Sequence, residues 1–449
     1  MAISRAVPTP LRSSKAAPLA GEIRVPGDKS ISHRALMIGG LAVGETRITG
    51  LLEGEDVLAT AGALRAYGCA VVRDADGAWR VRGRGVGGLA EPDAVLDLGN
   101  AGTATRLLMG IAAAHPFATF MTGDASLRSR PMARIARPLT DMGARVVARS
   151  NGRLPLAVVG TMDLMPIEYT LPVASAQVKS AILLAGLHAP GETTVIEPQP
   201  TRDHTELMLR HFGGEVRVED LAGGARRVTV VGERELAAAD IVVPADPSSA
   251  AFALVAAAIV PGSAVRCPNV GINPLRGGLI DTLIEMGADI AFENRRIAGG
   301  EPVADLVVRH APLKGVTVPA ERAPRMIDEY PVLAVAASCA RGATVMQGLG
   351  ELRVKESDRL AAIAAGLGAA GVRLAIDGDT LTVEGNGAPP AGGGAVATRL
   401  DHRIAMAFLV LGAATDRPMQ IDDGQPIETS FPGFAALMNA AGLHIERAG

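Results

Sequence analysis

The stretch GDKSISHRALMIGGLA, at residues 27–42, predicts a short turn that opens a helix. Ser30 is the predicted N-cap, and the apolar run at 35–42 supplies the side chains that such a helix would bury. A helix start presents unpaired N–H groups and the positive end of a dipole, so it suits an anion. Lys29 and Arg34 would add two full charges there, although a capped helix with two solvated cations is the alternative. A Walker-type phosphate loop is excluded, because the first glycine of that spacing is missing.

Composition limits the class of protein. The chain has 449 residues, which favours two domains over one. Hydrophobic residues make up 48% but aromatic residues only 3%, so aliphatic side chains must form most of the core. The formal net charge of −3 argues against a nucleic-acid binder that works by bulk electrostatics. No apolar run reaches membrane-spanning length without a glycine, a proline or a charge.

The cysteines and the first residues indicate a reducing compartment. Cys69, Cys267 and Cys339 are far apart and form no Cys-x-x-Cys pair, so neither a disulfide framework nor a zinc site is expected. The first twenty residues lack the apolar segment of a secretory signal. We therefore expect a cytoplasmic enzyme that binds no nucleic acid, no membrane, no metal and no cofactor.

One pattern of elements recurs six times along the chain. Its first member is an apolar segment that follows a polar residue, and the Ala/Leu content of these segments favours helix. They are apolar nearly all round, which predicts helices inside the protein rather than on its surface. The six are predicted at 35–42, 107–114, 181–187, 250–260, 332–340 and 404–414, with starts near Ser30, Gly102, Ser175, Ser248, Glu329 and Asp401.

A strand and a second, amphipathic helix follow each of these helices. The strands are predicted at 45–48, 119–121, 193–196, 264–267, 343–346 and 419–421. The second helices are predicted to end at Gly68, Gly143, Gly213, Gly287, Gly371 and Gly442, each followed by a further strand. These glycines recur every 70–84 residues or so, too long a period for a solenoid. We interpret the pattern as six repeats, three in each of two domains; a general α/β rhythm is the alternative.

Cations, hydroxyls and amides collect at the starts of the apolar helices and in nearby loops. Guanidinium groups recognise phosphates and carboxylates, so the set predicts a ligand with several negative charges. Parallel helices with their N-termini on one face would give a cleft of positive potential. Any single one of these arginines could instead be a solvated surface residue. The set comprises Lys29, Arg34, Asn100, Arg106, Arg128, Arg130, Gln177, Lys179, Arg202, Arg325, Lys355, Arg359 and Arg403.

Three acids stand among these cations: Asp328, Glu356 and Asp401. Asp401 could be a plain N-cap. The segment 355–359 could be an ion-paired helix face. It could also bring a lysine and a carboxylate together for proton transfer, with Arg359 holding an anion one turn on.

Eight segments resemble the 5-enolpyruvylshikimate-3-phosphate synthase family, and they span nearly the whole chain in order. They are GDKSISHR at 27–34, LGNAGTATR at 98–106, SRPM at 129–132, SAQVKSA at 175–181, TRDHTE at 201–206, the run 326–330, RVKESDR at 353–359 and DHRIAMAF at 401–408. Three of them, at 27–34, 175–181 and 201–206, are similar to the second bacterial class of the family, which is associated with glyphosate tolerance.

The resemblance implies an α/β inside-out fold of two domains, each built from three βαβαββ units around buried parallel helices. One domain would comprise residues 1–27 and 246–449, and the other residues 28–245. The active site would lie in the cleft between them. A monomer is expected.

The resemblance also implies a reaction. The enolpyruvyl group of phosphoenolpyruvate would pass to the 5-hydroxyl of shikimate 3-phosphate, releasing phosphate, by addition and elimination through a tetrahedral intermediate without metal or covalent enzyme intermediate. Such a reaction needs a base for the hydroxyl, a proton donor for the methylene carbon and cations for the departing phosphate.

By family position, fourteen residues would carry this reaction. Asp328 would be the hydroxyl base, Glu356 and Lys355 would transfer the proton at the enolpyruvyl carbon, and Lys29 would bridge both substrates. Shikimate 3-phosphate would be bound by Lys29, Ser30, Arg34, Ser175, Gln177, Arg202, Asp328 and Lys355. Phosphoenolpyruvate would be bound by Lys29, Asn100, Gly102, Arg130, Gln177, Arg359 and Arg403.

The chain departs from the family pattern at two positions, and a third position bears on glyphosate tolerance. Ala176 replaces a serine of many members, and Arg202 could take over its phosphate contact. Thr429 stands where the other class has a lysine, so one cation is unaccounted for. Gly102 stands where tolerant members carry alanine, so we expect intermediate or full sensitivity to glyphosate.

Two other functions remain as alternatives. A UDP-sugar enolpyruvyl transferase has the same architecture, but it relies on a cysteine in an arginine-bearing loop, which this chain lacks, and Lys29-Ser30 replaces its usual Lys-Asn. A non-catalytic polyanion binder is disfavoured because Lys29, Asp328 and Glu356 are present.

Overall fold

The computed structural model describes residues 8–448, which form two compact units. The inserted unit contains Gly27–Pro244 and Ile297–Glu301. The terminal unit contains the chain up to Pro26, Ala245–Arg296 and the chain from Pro302 onward. The segment Ile297–Glu301 is the turn of a hairpin whose strands otherwise belong to the terminal unit; nothing in the sequence pattern indicated it.

Six four-stranded sheets repeat one strand order in the described residues. In each, the first strand is parallel to the second, and the second, third and fourth strands pair antiparallel. In one sheet, for example, Leu96 pairs in parallel with Met121, which pairs on its other side with Leu156 in antiparallel register. All six strands predicted to follow the apolar helices are present, which confirms the repeat.

The strands of the inserted unit are Ala42–Val43, Glu45–Thr49, Ala70–Arg73, Trp79–Arg82, Leu96–Asp97, Ala118–Thr122, Arg145–Arg149, Arg153–Val159, Glu168–Thr170, Glu192–Glu197, Val216–Asp220, Arg226–Val231, Leu236–Ala237 and Ile241–Val242. The other sheets use Leu11–Ser14, Ala20–Glu22, Ala264–Gly271, Asp289–Ala298, Glu301–Arg309, Thr317–Val318, Arg341–Met346, Arg373–Asp377, Thr380–Asn386, Ala395–Val396, Met419–Ile421 and His444–Arg447.

The six apolar helices are buried, as predicted. Every residue of Pro247–Ile259 and of Tyr330–Cys339 is buried, and Arg403 is the one half-buried residue of His402–Gly412. Helices without a polar face have no surface for water, so the sheets cover them. The six, called α1 to α6 below, are Lys29–Leu41, Gly102–Ala113, Ala176–Gly186, Pro247–Ile259, Tyr330–Cys339 and His402–Gly412.

The prediction of Ser30 as the N-cap of α1 was wrong. The cap is Asp28, whose carboxylate accepts from the Ile31 backbone N–H at 2.9 Å, and Ser30 already lies in the first turn. Ser175 and Asp401 do cap their helices, accepting from Val178 and from Arg403.

Helices α2 and α3 pack at backbone contact distance. A Cβ added to Gly110 would lie 2.2 Å from the Ala181 carbonyl oxygen, so only glycine fits there. The first turns of the same two helices also meet, because Gln177 donates to Thr103 at 3.0 Å. The two helices therefore run side by side with their N-termini together, which confirms the predicted parallel packing for this pair.

The second helices and their closing glycines are confirmed too. All six glycines have φ between 82° and 119°, the left-handed conformation that ends a helix at little cost only for glycine. The helices are Glu55–Ala66, Ala133–Asp141, His204–His211, Gly278–Glu285, Arg359–Ala369 and Phe434–Ala440. Short helices add Ala323–Met326 and Gln425–Glu428, and 3-10 turns add Leu127–Ser129, Ser150–Gly152, Ala222–Gly224, Ala320–Arg322 and Gly350–Val354.

Three further observations concern residues 8–448 as a whole. None of their helices is both long and apolar enough for a membrane span. No group of three or more His, Cys, Asp or Glu residues among them could hold a metal ion. Cys69, Cys267 and Cys339 are buried and unpaired with one another.

Candidate active site

The first turns of α2 and α3 carry a group of amide and guanidinium side chains. Gln177 bridges the two helices, since its Oε1 accepts from Arg106 Nη1 at 2.9 Å and its Nε2 donates to Thr103 at 3.0 Å. Both Gln177 and Arg106 are half-buried. This places Gln177 beside Arg106, which the sequence analysis named among the anion-binding cations but to which the family resemblance assigned no substrate.

A second arginine, Arg130, is oriented by two hydrogen bonds, one of them to a residue just before α2. Its Nη2 donates to Asn100 Oδ1 at 2.7 Å and to Ser126 Oγ at 3.1 Å. The Asn100 amide donates in turn to Asp124 at 2.7 Å, which fixes which way the amide faces. Two predicted residues, Asn100 and Arg130, are therefore in direct contact.

Gly102 lies between the two arginines. A Cβ added to it would be 3.1 Å from Nη1 of Arg106 and 3.1 Å from Nη1 of Arg130. The space beside Gly102 is therefore small, with a guanidinium group on either side, and it lies at the N-terminus of α2. Such a space suits a compact anion. Arg106, already in the set of cations predicted at the helix starts, follows Gly102 by four residues and so shares its helix face.

Lys29 and Arg34, on α1, differ sharply in exposure. Lys29 is a quarter exposed and its ammonium forms an ion pair with Asp56 in the first turn of the following helix. Arg34 is 3% exposed, and it donates to Ser30 O at 2.9 Å, to Thr205 Oγ1 at 2.7 Å and to Ser180 Oγ at 2.9 Å. Burial lowers the pKa of Arg34 to about 10, but the group stays charged at neutral pH.

Ser175 and Arg202 complete the predicted residues of the inserted unit. Ser175 is half-buried, and its hydroxyl accepts from the Val178 N–H at 3.4 Å. Arg202 is half-buried in the loop after strand Glu192–Glu197. Ser175, Gln177 and Arg202 thus lie at the start of α3 or in the loop before the next helix.

In the terminal unit, Arg359 is held by three carboxylates at once. Its Nε donates to Asp401 at 2.8 Å, Nη1 to Asp328 at 3.1 Å and Nη2 to Glu356 at 2.5 Å. Burial disfavours its charge, but the three carboxylates outweigh that cost and raise the pKa of Arg359 above its ordinary value. We call these four residues the Arg359 cluster; it brings together the two acids and one of the arginines predicted for catalysis and binding.

The members of the Arg359 cluster differ in access to solvent. Arg359 is 1% and Asp401 0% exposed, whereas Asp328 is 17% and Glu356 30% exposed. The Lys355 ammonium lies 3.8 Å from Asp328 and is 27% exposed. The accessible groups are therefore two carboxylates of the cluster, Asp328 and Glu356, and the neighbouring ammonium of Lys355. These are the groups needed for proton transfer.

The segment around Lys355 is not the helix face offered as an alternative in the sequence analysis. A 3-10 turn ends at Val354, Lys355 is extended, and the helix begins only at Arg359 with Asp358 as its cap. Arg359 is thus the first helical residue and lies inward. Lys355 and Glu356 are loop residues, free of the i, i+4 spacing of a helix.

Arg403 completes the group at the start of α6. Its Nη1 donates to the Asp328 carbonyl at 3.2 Å and lies 3.6 Å from Glu329 Oε1. Glu329 also accepts from Ser248 in the first turn of α4. The first turns of all three buried helices of this unit are therefore linked through Glu329.

The region of Thr429 supplies no cation. Its hydroxyl donates to the Pro426 carbonyl at 2.8 Å and caps the short helix Gln425–Glu428. Thr429 therefore has a local structural role. Arg403 lies at the start of α6 and Arg359 begins its own helix. Arg276, which the sequence analysis did not single out, donates to Asp246 at 3.1 Å and to Ser248 at 2.8 Å at the start of α4.

A family model described as EPSP synthase (3-phosphoshikimate 1-carboxyvinyltransferase) matches residues 13–438. A 3-phosphoshikimate 1-carboxyvinyltransferase of Paramagnetospirillum magneticum is 65% identical over 97% of this chain and 98% of its own length. The chain belongs to the EPSP synthase family. A relative of the same name from Rhodospirillum rubrum is 62% identical over 98% of both chains.

Solved structures agree with the family assignment. An EPSP synthase from Acinetobacter baumannii is 46% identical and superposes with a TM-score of 0.89, covering 98% of this chain and 100% of that one. The enolpyruvyl transferase NikO from Streptomyces tendae has a TM-score of 0.78 at 18% identity and shares the fold. The predicted inside-out fold, with three βαβαββ repeats in each of two domains, is thereby confirmed as that of the EPSP synthase family.

Proposed function

We propose that this protein transfers the enolpyruvyl group of phosphoenolpyruvate to the 5-hydroxyl of shikimate 3-phosphate and releases phosphate. The observation that carries the proposal is the full-length identity of 60–65% to relatives named for this transfer. The arrangement of side chains supports it, because two phosphorylated acids need several cations and the addition needs carboxylates beside an ammonium.

Shikimate 3-phosphate is assigned to Lys29, Ser30, Ser175, Gln177 and Arg202, and the buried Arg34 would support this site. Because Arg34 is buried and donates through all three of its nitrogens, its contribution is a buried positive charge and an ordered first turn of α1. Its direct contact with substrate stays a prediction. Asp328 and Lys355 would face the 5-hydroxyl.

Phosphoenolpyruvate is assigned to the space at Gly102 and to Lys29, Asn100, Arg130, Gln177, Arg359 and Arg403. Its carboxylate would compete for the Arg359 guanidinium with Glu356, which is the most exposed of the three carboxylates there. Displacing Glu356 would free it for proton transfer at the methylene carbon. Substrate binding and activation of an acid–base group would thus be one event.

The chemical step follows from these positions. Asp328 takes the proton of the 5-hydroxyl, whose oxygen attacks the central enolpyruvyl carbon, while Lys355 and Glu356 deliver a proton to the methylene carbon. The resulting tetrahedral adduct loses phosphate, and a methyl proton returns to the same pair to restore the double bond. Nearby carboxylates stabilise the positive charge that develops at the central carbon, and Lys29 and the arginines stabilise the phosphate that leaves.

The remaining expectations are part of the same proposal. The domain division predicted at residues 27/28 and 245/246 remains a prediction, as does a common cleft for the two groups of side chains. A monomeric enzyme of the cytoplasm is proposed, and its three unpaired cysteines suit a reducing compartment.

A UDP-sugar transferase that depends on a cysteine is disfavoured by the same structure. Burial raises the pKa of Cys69 to about 11 and that of Cys267 and of Cys339 to about 12. A thiol that stays protonated is a poor nucleophile or acid at neutral pH.

The test is phosphate release from defined mixtures. Purified protein should release phosphate when phosphoenolpyruvate and shikimate 3-phosphate are both present and not with either alone. Release with a UDP-sugar in place of shikimate 3-phosphate would favour the alternative transferase. Asp328→Asn is the matched control, since it removes the proposed base while keeping the shape of the side chain.

A further inference from the structure

A buried ion cluster lies next to the loop that carries Arg202. Lys179 of α3 is 2.9 Å from Glu197, at the end of strand Glu192–Glu197, and 2.6 Å from Glu206. The side chains of Lys179 and Glu197 are fully buried, and that of Glu206 is 1% exposed. We call these three residues the Lys179 cluster; no role in the reaction has been assigned to it above.

The Lys179 cluster holds Thr201 by three hydrogen bonds. The Thr201 N–H donates to Glu197 Oε1 at 3.2 Å, the Thr201 hydroxyl donates to the same oxygen, and the Thr201 carbonyl accepts from Lys179 Nζ at 3.4 Å. Both peptide groups of Thr201 are therefore fixed by buried charges. The second of these peptide groups contains the N–H of Arg202, so the position of Arg202 follows from that of Thr201.

The neighbouring residues of the same two helices hold Arg34. Ser180 follows Lys179 and accepts from Arg34 Nη2 at 2.9 Å, while Thr205 precedes Glu206 and accepts from Arg34 Nε at 2.7 Å. The Ser180 and Thr205 hydroxyls lie 2.7 Å apart. Two adjacent residues of α3 thus act on the two cations assigned to shikimate 3-phosphate: Ser180 holds Arg34, and Lys179 holds the Thr201 carbonyl next to Arg202.

Stability alone does not explain a cluster of this kind. Removing an ammonium and two carboxylates from water costs several kcal/mol per ion, and well-packed apolar side chains in their place are often as stable or more stable. The charged side chains do more than stabilise the fold, because their hydrogen bonds hold the backbone at Thr201 in one position. Apolar side chains could not do this, since they form no hydrogen bonds with the Thr201 peptide groups.

We propose that Lys179 and Glu197 are positioning residues for the shikimate 3-phosphate site, acting on Arg202 through Thr201. The inference rests on the proposed function, since it takes Arg202 as the cation that binds the phosphate. Neither residue touches substrate, because both side chains are fully buried.

A double-mutant cycle tests the inference. Binding of shikimate 3-phosphate is measured by calorimetry for the native protein, Thr201→Val, Arg202→Met and the variant with both changes. Thr201→Val removes one hydrogen bond to a buried carboxylate, so we expect binding about tenfold weaker. Arg202→Met should weaken binding more, and adding Thr201→Val to it should change binding by no more than about twofold, because the two act through one contact.

Two further variants separate positioning from folding. Thr194→Val is the matched control. Thr194 lies on the strand that ends at Glu197, and the change removes its buried 2.8 Å hydroxyl contact with Thr229 on the neighbouring strand, away from Thr201. This variant should bind shikimate 3-phosphate like the native protein. Lys179→Met should weaken binding of shikimate 3-phosphate and raise its KM, with the KM for phosphoenolpyruvate and kcat nearly unchanged.

The outcomes distinguish this inference from the proposed function. Additive losses in the cycle, native-like binding by Thr201→Val, or an equal loss in Thr194→Val would each overturn the positioning role while leaving the proposed function intact. A native protein that bound no shikimate 3-phosphate would overturn both. If Lys179→Met does not fold, the cycle at Thr201 and Arg202 still decides.

Discussion

Single residues set the size and the charge of the proposed phosphoenolpyruvate space. Gly102 leaves room between Arg106 and Arg130, and its missing Cβ would approach both guanidinium groups to 3.1 Å. Contacts that short require a neighbour to move by a few tenths of an ångström. The movement should weaken the binding of a longer ligand more than it weakens the binding of phosphoenolpyruvate.

The first prediction concerns Gly102→Ala. The added methyl should raise the KM for phosphoenolpyruvate a few-fold and the inhibition constant of glyphosate by at least about tenfold, since a single methyl group in a tight site discriminates by roughly 10 to 200 fold. Steady-state inhibition of the native and variant proteins measures both constants. Equal inhibition constants for glyphosate would contradict the steric argument.

The second prediction concerns Glu356→Gln. The change removes an acid–base group but also a competitor for the Arg359 guanidinium. We expect kcat to fall by a factor of about 10² to 10⁴, while the KM for phosphoenolpyruvate does not rise. A rise in that KM would mean that Glu356 helps to bind the substrate and that the proposed displacement is wrong. The control is Glu351→Gln, an exposed residue that should leave both constants unchanged.

At the scale of elements, the close contact of α2 and α3 depends on Gly110. Its Cβ would lie 2.2 Å from a backbone oxygen, and a backbone atom cannot turn aside as a side chain can. The two helices carry Gly102, Arg106 and Gln177, so their separation also sets the geometry of the site.

The third prediction compares two glycines in helices. Gly110→Ala should lower the free energy of unfolding by about 2 kcal/mol or more, because the helices must move apart. Gly62→Ala is the matched control: a Cβ at Gly62 meets nothing within 4 Å, so the better helix former should stabilise the protein by about 0.5–1 kcal/mol. Urea unfolding of both variants measures the difference, and losses of equal size would refute the packing argument.

The regular elements could be predicted from the sequence, because each has a local cause. Apolar runs gave the six buried helices, and a closing glycine gave the end of each second helix. Caps were harder, since Asp28 and Ser30 stand two residues apart and both are good N-caps. Tertiary contact decided for Asp28, whose own backbone N–H is held by the Pro244 carbonyl at 2.7 Å.

Candidate residues for the site could be named from the resemblance, but their surroundings could not be predicted. The three carboxylates around Arg359 come from three separate segments of the chain, and the hydroxyls that bury Arg34 come from two others. Apart from the Glu356–Arg359 pair, which is three residues apart, these contacts join distant segments that no local pattern reports. Lys179 shows the same limit, because a lysine at a helix start suggests a ligand contact, whereas this one is fully buried.

At the scale of the whole molecule, the two units should respond differently to acid. Burial lowers the pKa of His33, of His115 and of His188, the last to about 3. All three residues belong to the inserted unit. A histidine that is neutral in the folded state and takes up a proton on unfolding destabilises the fold as pH falls below its unfolded pKa of about 6.5.

The fourth prediction concerns the loss of stability as the pH falls. Between about pH 6.5 and pH 4, His188, whose folded pKa is about 3, should lower the free energy of unfolding by roughly 1.4 kcal/mol per pH unit. The lowered pKa values of His33 and His115 act in the same direction below about pH 6.5, so the inserted unit should lose hydrogen-exchange protection first. Asp305 and Glu285 of the terminal unit have lowered pKa values, so their stabilisation is lost only below that range. His188→Leu should make the pH dependence shallower; an unchanged slope would contradict the assignment.

The strand Leu11–Ser14 lies between Met419–Ile421 and His444–Arg447, so it is an inner strand of a sheet whose other strands lie about 400 residues later in the sequence. During synthesis on the ribosome, that strand emerges before the inserted unit and has neither neighbour until residues 419–447 have been made. The inserted unit, by contrast, has all its segments once residue 301 has left the exit tunnel. Vectorial synthesis thus imposes an order in which the nascent inserted unit matures early and the terminal unit can close only after residues 444–447 have left the exit tunnel.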